Sequence, residues 1–158
     1  MTALLSVTPD DYGDHHREHL FEQYKLYVDS ADRISQRRSS TNSFLLTVNA
    51  SLVTLYGLTT PLKPSGAAAW HLLVPFAGIL VCIAWLSLVE NYRNLNSVKF
   101  KVIHELESQL PASLYAYEWQ LLEAGEGKVY KPVTHIEQWI PVIFILLYVG
   151  LVLYSFLA

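Results

Sequence analysis

The sequence predicts an all-α integral membrane protein with three transmembrane helices, the first two extended into a cytoplasmic helical hairpin. Three observations predict it. Three apolar segments, at 43–62, 70–89 and 140–158, interrupt a chain of only 158 residues. The 11 basic residues are sorted by them: five precede the first segment, five lie between the second and third, and only Lys63 lies in the short link between the first two. Hydrophobic residues make up 52% of the chain, high for a soluble domain of this size. The basic bias places the N-terminus in the cytoplasm and the C-terminus at the far face.

Residues 1–13 read as irregular. Asp14 is a candidate N-cap for a cytoplasmic helix over 14–42. Leu20, Phe21, Tyr24, Val28 and Ala31 recur at three- and four-residue steps and mark its apolar stripe. No Pro or Gly separates Asp14 from Tyr56. One helix is therefore expected to run on into a first span over 43–62. Ser43, Thr47, Asn49, Ser51 and Thr54 dilute that span. A crossing there is what puts both basic clusters on one side. An outer loop over 63–69 forces the second span, 70–89, to run antiparallel to the first.

The second span is free of formal charge over about twenty positions, enough for a hydrocarbon layer of roughly 30 Å. Pro75 should kink it or begin its regular part. Helical patterning persists through 90–110, with Val98, Val102 or Ile103, Leu106 and Leu110 on one face, until Pro111. The two stripes are expected to pack as a hairpin. A cytoplasmic linker follows over 111–136. Its short helix, 114–123, should turn Leu114, Tyr117 and Leu121 inward, and Gly125-Glu126-Gly127 should turn the chain. Lys131-Pro132 reads as extended, and Thr134 as an N-cap with Glu137 as its capping-box partner. The third span fills 137–158, with Pro141 in its first turn. Trp70, Tyr56 and Tyr154 mark the outer boundary, and Tyr92 and Trp139 the inner one.

Composition narrows the function classes. The net charge of −3 and the placement of basic residues near membrane boundaries speak against a nucleic-acid partner. The single cysteine, Cys82, cannot form an intrachain disulfide and reads as buried packing. Insertion is expected to use the first span as its signal, since 1–14 is acidic and lacks an apolar core.

Few residues suggest chemistry. His15, His16 and His19 cluster with Glu18 and Glu22, which suits a solvated, acidic helix start better than a metal site. His104-Glu105-Leu106-Glu107 lacks the second His of a metalloprotease helix. No metal, cofactor or catalytic set is expected, and an enzyme is not the expected class. Asn49 is costly at mid-span unless paired. With Ser43, Thr47, Ser51 and Thr54 it forms a small polar stripe, read as helix packing or as the lining of an aqueous path. Lys25, Arg33, Arg37 and Arg38 form a juxtamembrane patch suited to anionic lipid headgroups. Glu90, at the inner boundary, is expected to pair with Arg93 or Arg38.

Four stretches carry a resemblance: YKLYVDSADRISQRRSSTNSFLLTVN at 24–49, YRNLNSVKFKVIHELESQLP at 92–111, Tyr117-Glu118-Trp119, and YKPVTHIEQWIP at 130–141. Together they resemble the bacterial RipA-type family of small octameric membrane proteins. The resemblance implies a bacterial inner-membrane protein and a homo-octamer. It implies no biochemical activity and no functional residues.

The expected function is a non-enzymatic homo-oligomeric inner-membrane scaffold or sensor. Its partners are further copies of itself, membrane lipids and a cytoplasmic protein. The alternative is an oligomeric pore lined by the polar face of the first span. Less favoured is an accessory to membrane lipid metabolism, with the His cluster and Glu90 as its only handles.

Overall fold

The computed structural model describes residues 4–59, 67–122 and 133–157, and among them every regular element is a helix. Expectations for the outer loop with Lys63, the Gly125-Glu126-Gly127 turn, Lys128 and Lys131-Pro132 lie outside the described residues. Five helices follow in order: α1 (Pro9–Tyr12), α2 (His16–Thr59), α3 (Ala67–Glu107), α4 (Leu114–Leu121) and α5 (Val133–Leu157). The chain divides into two compact units. Unit 1 holds residues 1–37 and 92–132, and unit 2 holds 38–91 and 133–158.

In unit 1 the start of the chain is more ordered than its composition suggests. Thr8 accepts from the Asp11 N–H and caps a single turn, with Pro9 at its first position. Gly13 ends it at φ 89°, a conformation that favours glycine. The helix after it begins at His16, so Asp14 lies in the turn and is not the cap.

The α2 and α3 portions of unit 1 pack antiparallel: Tyr24 meets Glu107, and six residues further along α2, Ser30 meets Lys99. Leu20, Ala31, Ile103 and Leu106 are buried between them. Phe21 and Val98 are not: each was expected in the apolar stripe, and each is about half exposed. Leu20 takes the inner place beside Phe21, and on α3 the buried position is Ile103, about 140° around the helix from Val98 at ~100° per residue. The α3 helix stops at Glu107, three residues short of Leu110, in a turn that bonds the Gln109 and Leu110 N–H groups to the Leu106 and Glu107 carbonyls.

Unit 2 contains the remainder of α2 and α3 together with α5. Asn42 meets Trp85, Asn49 meets Cys82 and Tyr56 meets His71, so α2 and α3 are antiparallel here. Arg38 meets Glu137 and Asn49 meets Tyr148, so α5 runs parallel to α2. Among the described residues two helices, Trp70–Glu107 and Ile136–Leu157, are long and apolar enough to cross a membrane. Only 33% and 11% of their apolar windows are buried in the protein, the reverse of a soluble core helix. The diluted segment of α2 does not meet the same measure. The α5 helix begins at Val133, so Thr134 is already helical and is not the cap, and Pro141 sits eight residues in, not in the first turn. Pro75 likewise lies inside α3. Both prolines are fully buried, where neighbouring helices shelter the carbonyl that each leaves without its helical donor.

Burial sets an expectation for unit 1. Ile103→Ala should cost about 2–4 kcal/mol by opening a cavity, whereas Phe21→Ala should change stability by less than about 1 kcal/mol. Thermal unfolding of the detergent-solubilised protein compares the two.

Candidate functional site

Each unit carries one buried polar node. In unit 2 the node is Asn49, with no exposed surface. Its Nδ2 donates to the Leu45 carbonyl one turn back at 2.8 Å. That bond turns Oδ1 toward the neighbouring helices. Cys82 Sγ donates to it from α3 at 3.2 Å, and Tyr148 from α5 also at 3.2 Å. The same Tyr148 hydroxyl lies 3.2 Å from the Asn49 backbone carbonyl. Three helices thus converge on one amide. Gly78 makes this possible: a Cβ there would overlap the Tyr148 ring. Nearby, the fully buried Trp85 donates its indole N–H to Asn42 Oδ1 at 2.8 Å. The amide of Asn49 and the indole of Trp85 therefore find partners without water.

The rest of the expected stripe points elsewhere. Ser43, Thr47, Ser51 and Thr54 are exposed on unit 2, while Asn49 is inside. The geometry is that of a helix: position 49 lies far around the axis from 43, 47 and 54 at ~100° per residue. Thr47, Ser51 and Thr54 return their hydroxyls to their own helix, to the carbonyls of Ser43, Thr47 and Ala50. Arg38 pairs with Glu137 at 3.6 Å, both side chains about one fifth exposed, whereas Glu90, its expected partner, is exposed.

In unit 1 the node is Glu107, a fully buried carboxylate at the last position of α3. Tyr24 donates to its Oε1 at 3.0 Å. The backbone N–H groups of Tyr115 and Ala116 donate to the two oxygens at 2.9 and 3.1 Å. Those are orphan donors at the start of α4, so Glu107 caps that helix from outside it. This settles how α4 faces. Tyr115 turns inward against Phe100. Leu114, Tyr117 and Leu121, expected inside, are instead 68%, 62% and 66% exposed. Burial chiefly, then the bond to Glu107 and its charge, push the Tyr24 phenol up to about 12. Tyr115 is raised as well, first by burial and then by the charges of Asp32, Glu118 and Glu107.

The surface candidates are plainer. Lys25 and Arg33 are half exposed and each meets an acid of its own helix, Glu22 and Asp29. Such pairs are weak and leave the cations available. Arg37 and Arg93 are exposed. His15 and His19 stack, His15 meets Glu18, and Tyr12 bonds His19 at 2.9 Å. Among the described residues no three His, Cys, Asp or Glu side chains are grouped to hold a metal ion.

Sequence reasoning missed Cys82, Tyr148 and Gly78 as partners of Asn49, and Glu107 as a cap. A signal for the first set exists: Cys82 and Tyr148 each lie near the middle of an otherwise apolar segment, as Asn49 does near the middle of the first. Glu107 has no local signal, because its partners lie 83 residues before it and eight to nine after.

Two expectations follow from these nodes. Asn49→Leu leaves Cys82 and Tyr148 without an acceptor and should lower stability by about 1–2 kcal/mol. Gly78→Ala should cost more, and the added change Tyr148→Leu should recover part of that loss, a coupling that a thermal double-mutant cycle in detergent reads directly. Tyr24 sets the second. Its phenol is raised in the folded chain, so its contribution is fully present below the ordinary value of 10 and is lost as pH rises through about 12. Glu107→Gln should move the Tyr24 titration down toward its ordinary value, as read by phenolate absorbance against Tyr24→Phe.

No curated protein and no solved structure matches the chain. A family match does exist, and it takes in α3, α4, α5, both nodes and nearly all of α2. Over residues 21–157 the sequence matches the octameric membrane protein family (8xMP), and the chain belongs to that family.

Proposed function

We propose that this protein is a non-enzymatic homo-oligomeric scaffold or sensor of the bacterial inner membrane. In this reading the chain crosses three times, through the 43–62 part of α2, the start of α3, and α5. The N-terminus and unit 1 lie in the cytoplasm, and the C-terminus lies at the periplasmic face. Membership of an octameric membrane protein family carries the reading. The burial pattern supports it. Asn49 and Glu107, the buried polar residues of the core, are both engaged in holding helices together. The outward surface of unit 2 is apolar, including Phe44, Leu80, Ile83 and Leu146, as lipid contact requires. Lys25, Arg33 and Arg37 add exposed cations suited to anionic headgroups, each worth ~1 kcal/mol near the surface, with Arg38 beside them held by Glu137.

One observation favours a second reading, an oligomeric pore. Ser43, Thr47, Ser51 and Thr54 form an outward hydroxyl stripe on α2. Facing a ring axis, it would wet a path. Asn49, buried inside the protomer, is then not part of the lining.

Cysteine labelling in intact cells tests the topology: a tag at residue 2 should be protected and one after Ala158 should react. Reaction at both ends, or at neither, overturns the three-span reading. Reconstituted vesicles separate scaffold from pore. The scaffold predicts no ion flux above empty vesicles. Flux that Thr47→Leu with Thr54→Leu abolishes would establish the pore.

A further inference from the structure

The start of unit 1 holds a pair of imidazoles that neither node uses. His15 and His19 are exposed and one helical turn apart, with the His19 N–H bonded to the His15 carbonyl at 3.0 Å. Their rings stack at 5.7 Å between centroids, 20° from parallel. Each ring is held at the same atom. His15 Nδ1 lies 3.2 Å from Glu18 Oε2, and His19 Nδ1 lies 2.9 Å from the Tyr12 hydroxyl. Tyr12 is itself placed by the capped turn of α1 and the bend at Gly13. Among the described residues, no hydrogen bond occupies Nε2 of either ring.

A metal-binding imidazole gives one nitrogen to the cation and its other N–H to an oxygen acceptor, which fixes the ring and the tautomer. With the proton on Nδ1, His15 donates to Glu18 and His19 donates to the Tyr12 oxygen. Two Nε2 lone pairs then remain, one turn apart. The i, i+4 spacing is that of paired zinc-binding histidines on one helix face. The local charge agrees. Residues 10–22 hold five acids, Asp10, Asp11, Asp14, Glu18 and Glu22, against Arg17 alone. That excess outweighs the roughly +0.5 charge of a helix start, which by itself would repel a cation.

We propose that His15 and His19 form a two-nitrogen site for a divalent transition cation, zinc or another ion that prefers imidazole, with water filling the remaining positions. The His16 ring meets the Tyr12 ring edge-on and is not a third ligand. Two ligands hold a cation exchangeably, whereas a structural zinc takes four. The site lies wholly within unit 1, and it stands whether the assembly is a scaffold or a pore.

The test uses the full-length protein in mild detergent, purified without a polyhistidine tag. Zinc is titrated by calorimetry, and Cu2+ is followed by electron paramagnetic resonance. The expected result is one zinc per chain and a copper spectrum split by nitrogen. His15→Ala and His19→Ala should each weaken zinc at least about tenfold, no less than the loss of an outer partner costs. His16→Ala should leave the affinity unchanged. All three variants keep the wild-type native mass, because the changes lie at the start of α2, away from both nodes. No zinc binding below about 1 mM overturns the site. Binding that survives His15→Ala with His19→Ala overturns it as well. So does an equal loss with His16→Ala, which describes a diffuse histidine-rich surface in place of a built pair. None of these outcomes touches the membrane reading.

Discussion

A polar atom inside a bilayer must find its partner within the protein. In the three-span reading proposed above, the arrangement of unit 2 depends on that constraint. Asn49 supplies one amide oxygen, and Cys82 and Tyr148 both aim hydrogen at it. No apolar contact would fix the rotation of three helices so narrowly, since lipid tails are as apolar as the side chains they replace. The individual bonds are modest, ~0.6 kcal/mol on average for this class. Their value here lies in specificity: a helix rotated by one residue leaves a buried donor or acceptor alone. Gly78 belongs to the same device, because it lets the Tyr148 ring lie against α3 so that the hydroxyl can reach.

Unit 1 solves the opposite problem, a charge in place of a neutral amide. A buried carboxylate without partners would be far more costly than Asn49. Glu107 has three donors, two of them backbone N–H groups whose own pairing a helix start leaves open. The bonds satisfy both sides at once. The connection between α3 and α4 is consequently stiff at its far end, although only six residues separate the two helices. That stiffness is what gives α4 a defined outward face.

The helical character was legible because it rests on local patterns: long apolar runs, and no Pro or Gly between Asp14 and Tyr56. Two kinds of feature were not. One is capping at a distance. Thr134 and Asp14 look like caps by residue type, yet α5 starts at Val133 and α2 at His16, one residue before the first and two after the second, and Glu107, a cap from a distance, carries no nearby mark. The other is the facing of short helices. Leu114, Tyr117 and Leu121 have the spacing of an inner stripe, and periodicity alone assumes that a stripe points to its own core. Glu107 decides otherwise by bonding Tyr115 and Ala116. Similarly, the polar residues of the 43–62 segment share a composition but not a side of the helix. Asn49 is turned inward to Cys82 and Tyr148, while Ser43, Thr47, Ser51 and Thr54 stay outward.

That division bears on what the assembly can be. A hydroxyl bonded to its own i−4 carbonyl is compatible with lipid, with a packed helix or with water, since it needs none of them as a partner. The outward stripe on α2 therefore permits a wet axis without requiring one. Asn49 would have required water had it faced outward, and it does not. The polar group that made a pore attractive from the sequence is the one that the fold uses for itself. What remains distinctive is the exposed apolar side of α4, a short helix whose orientation is fixed by a buried charge. A chain that directs so much apolar surface outward in both units presents faces suited to being covered, and in the reading proposed above lipid covers that of unit 2.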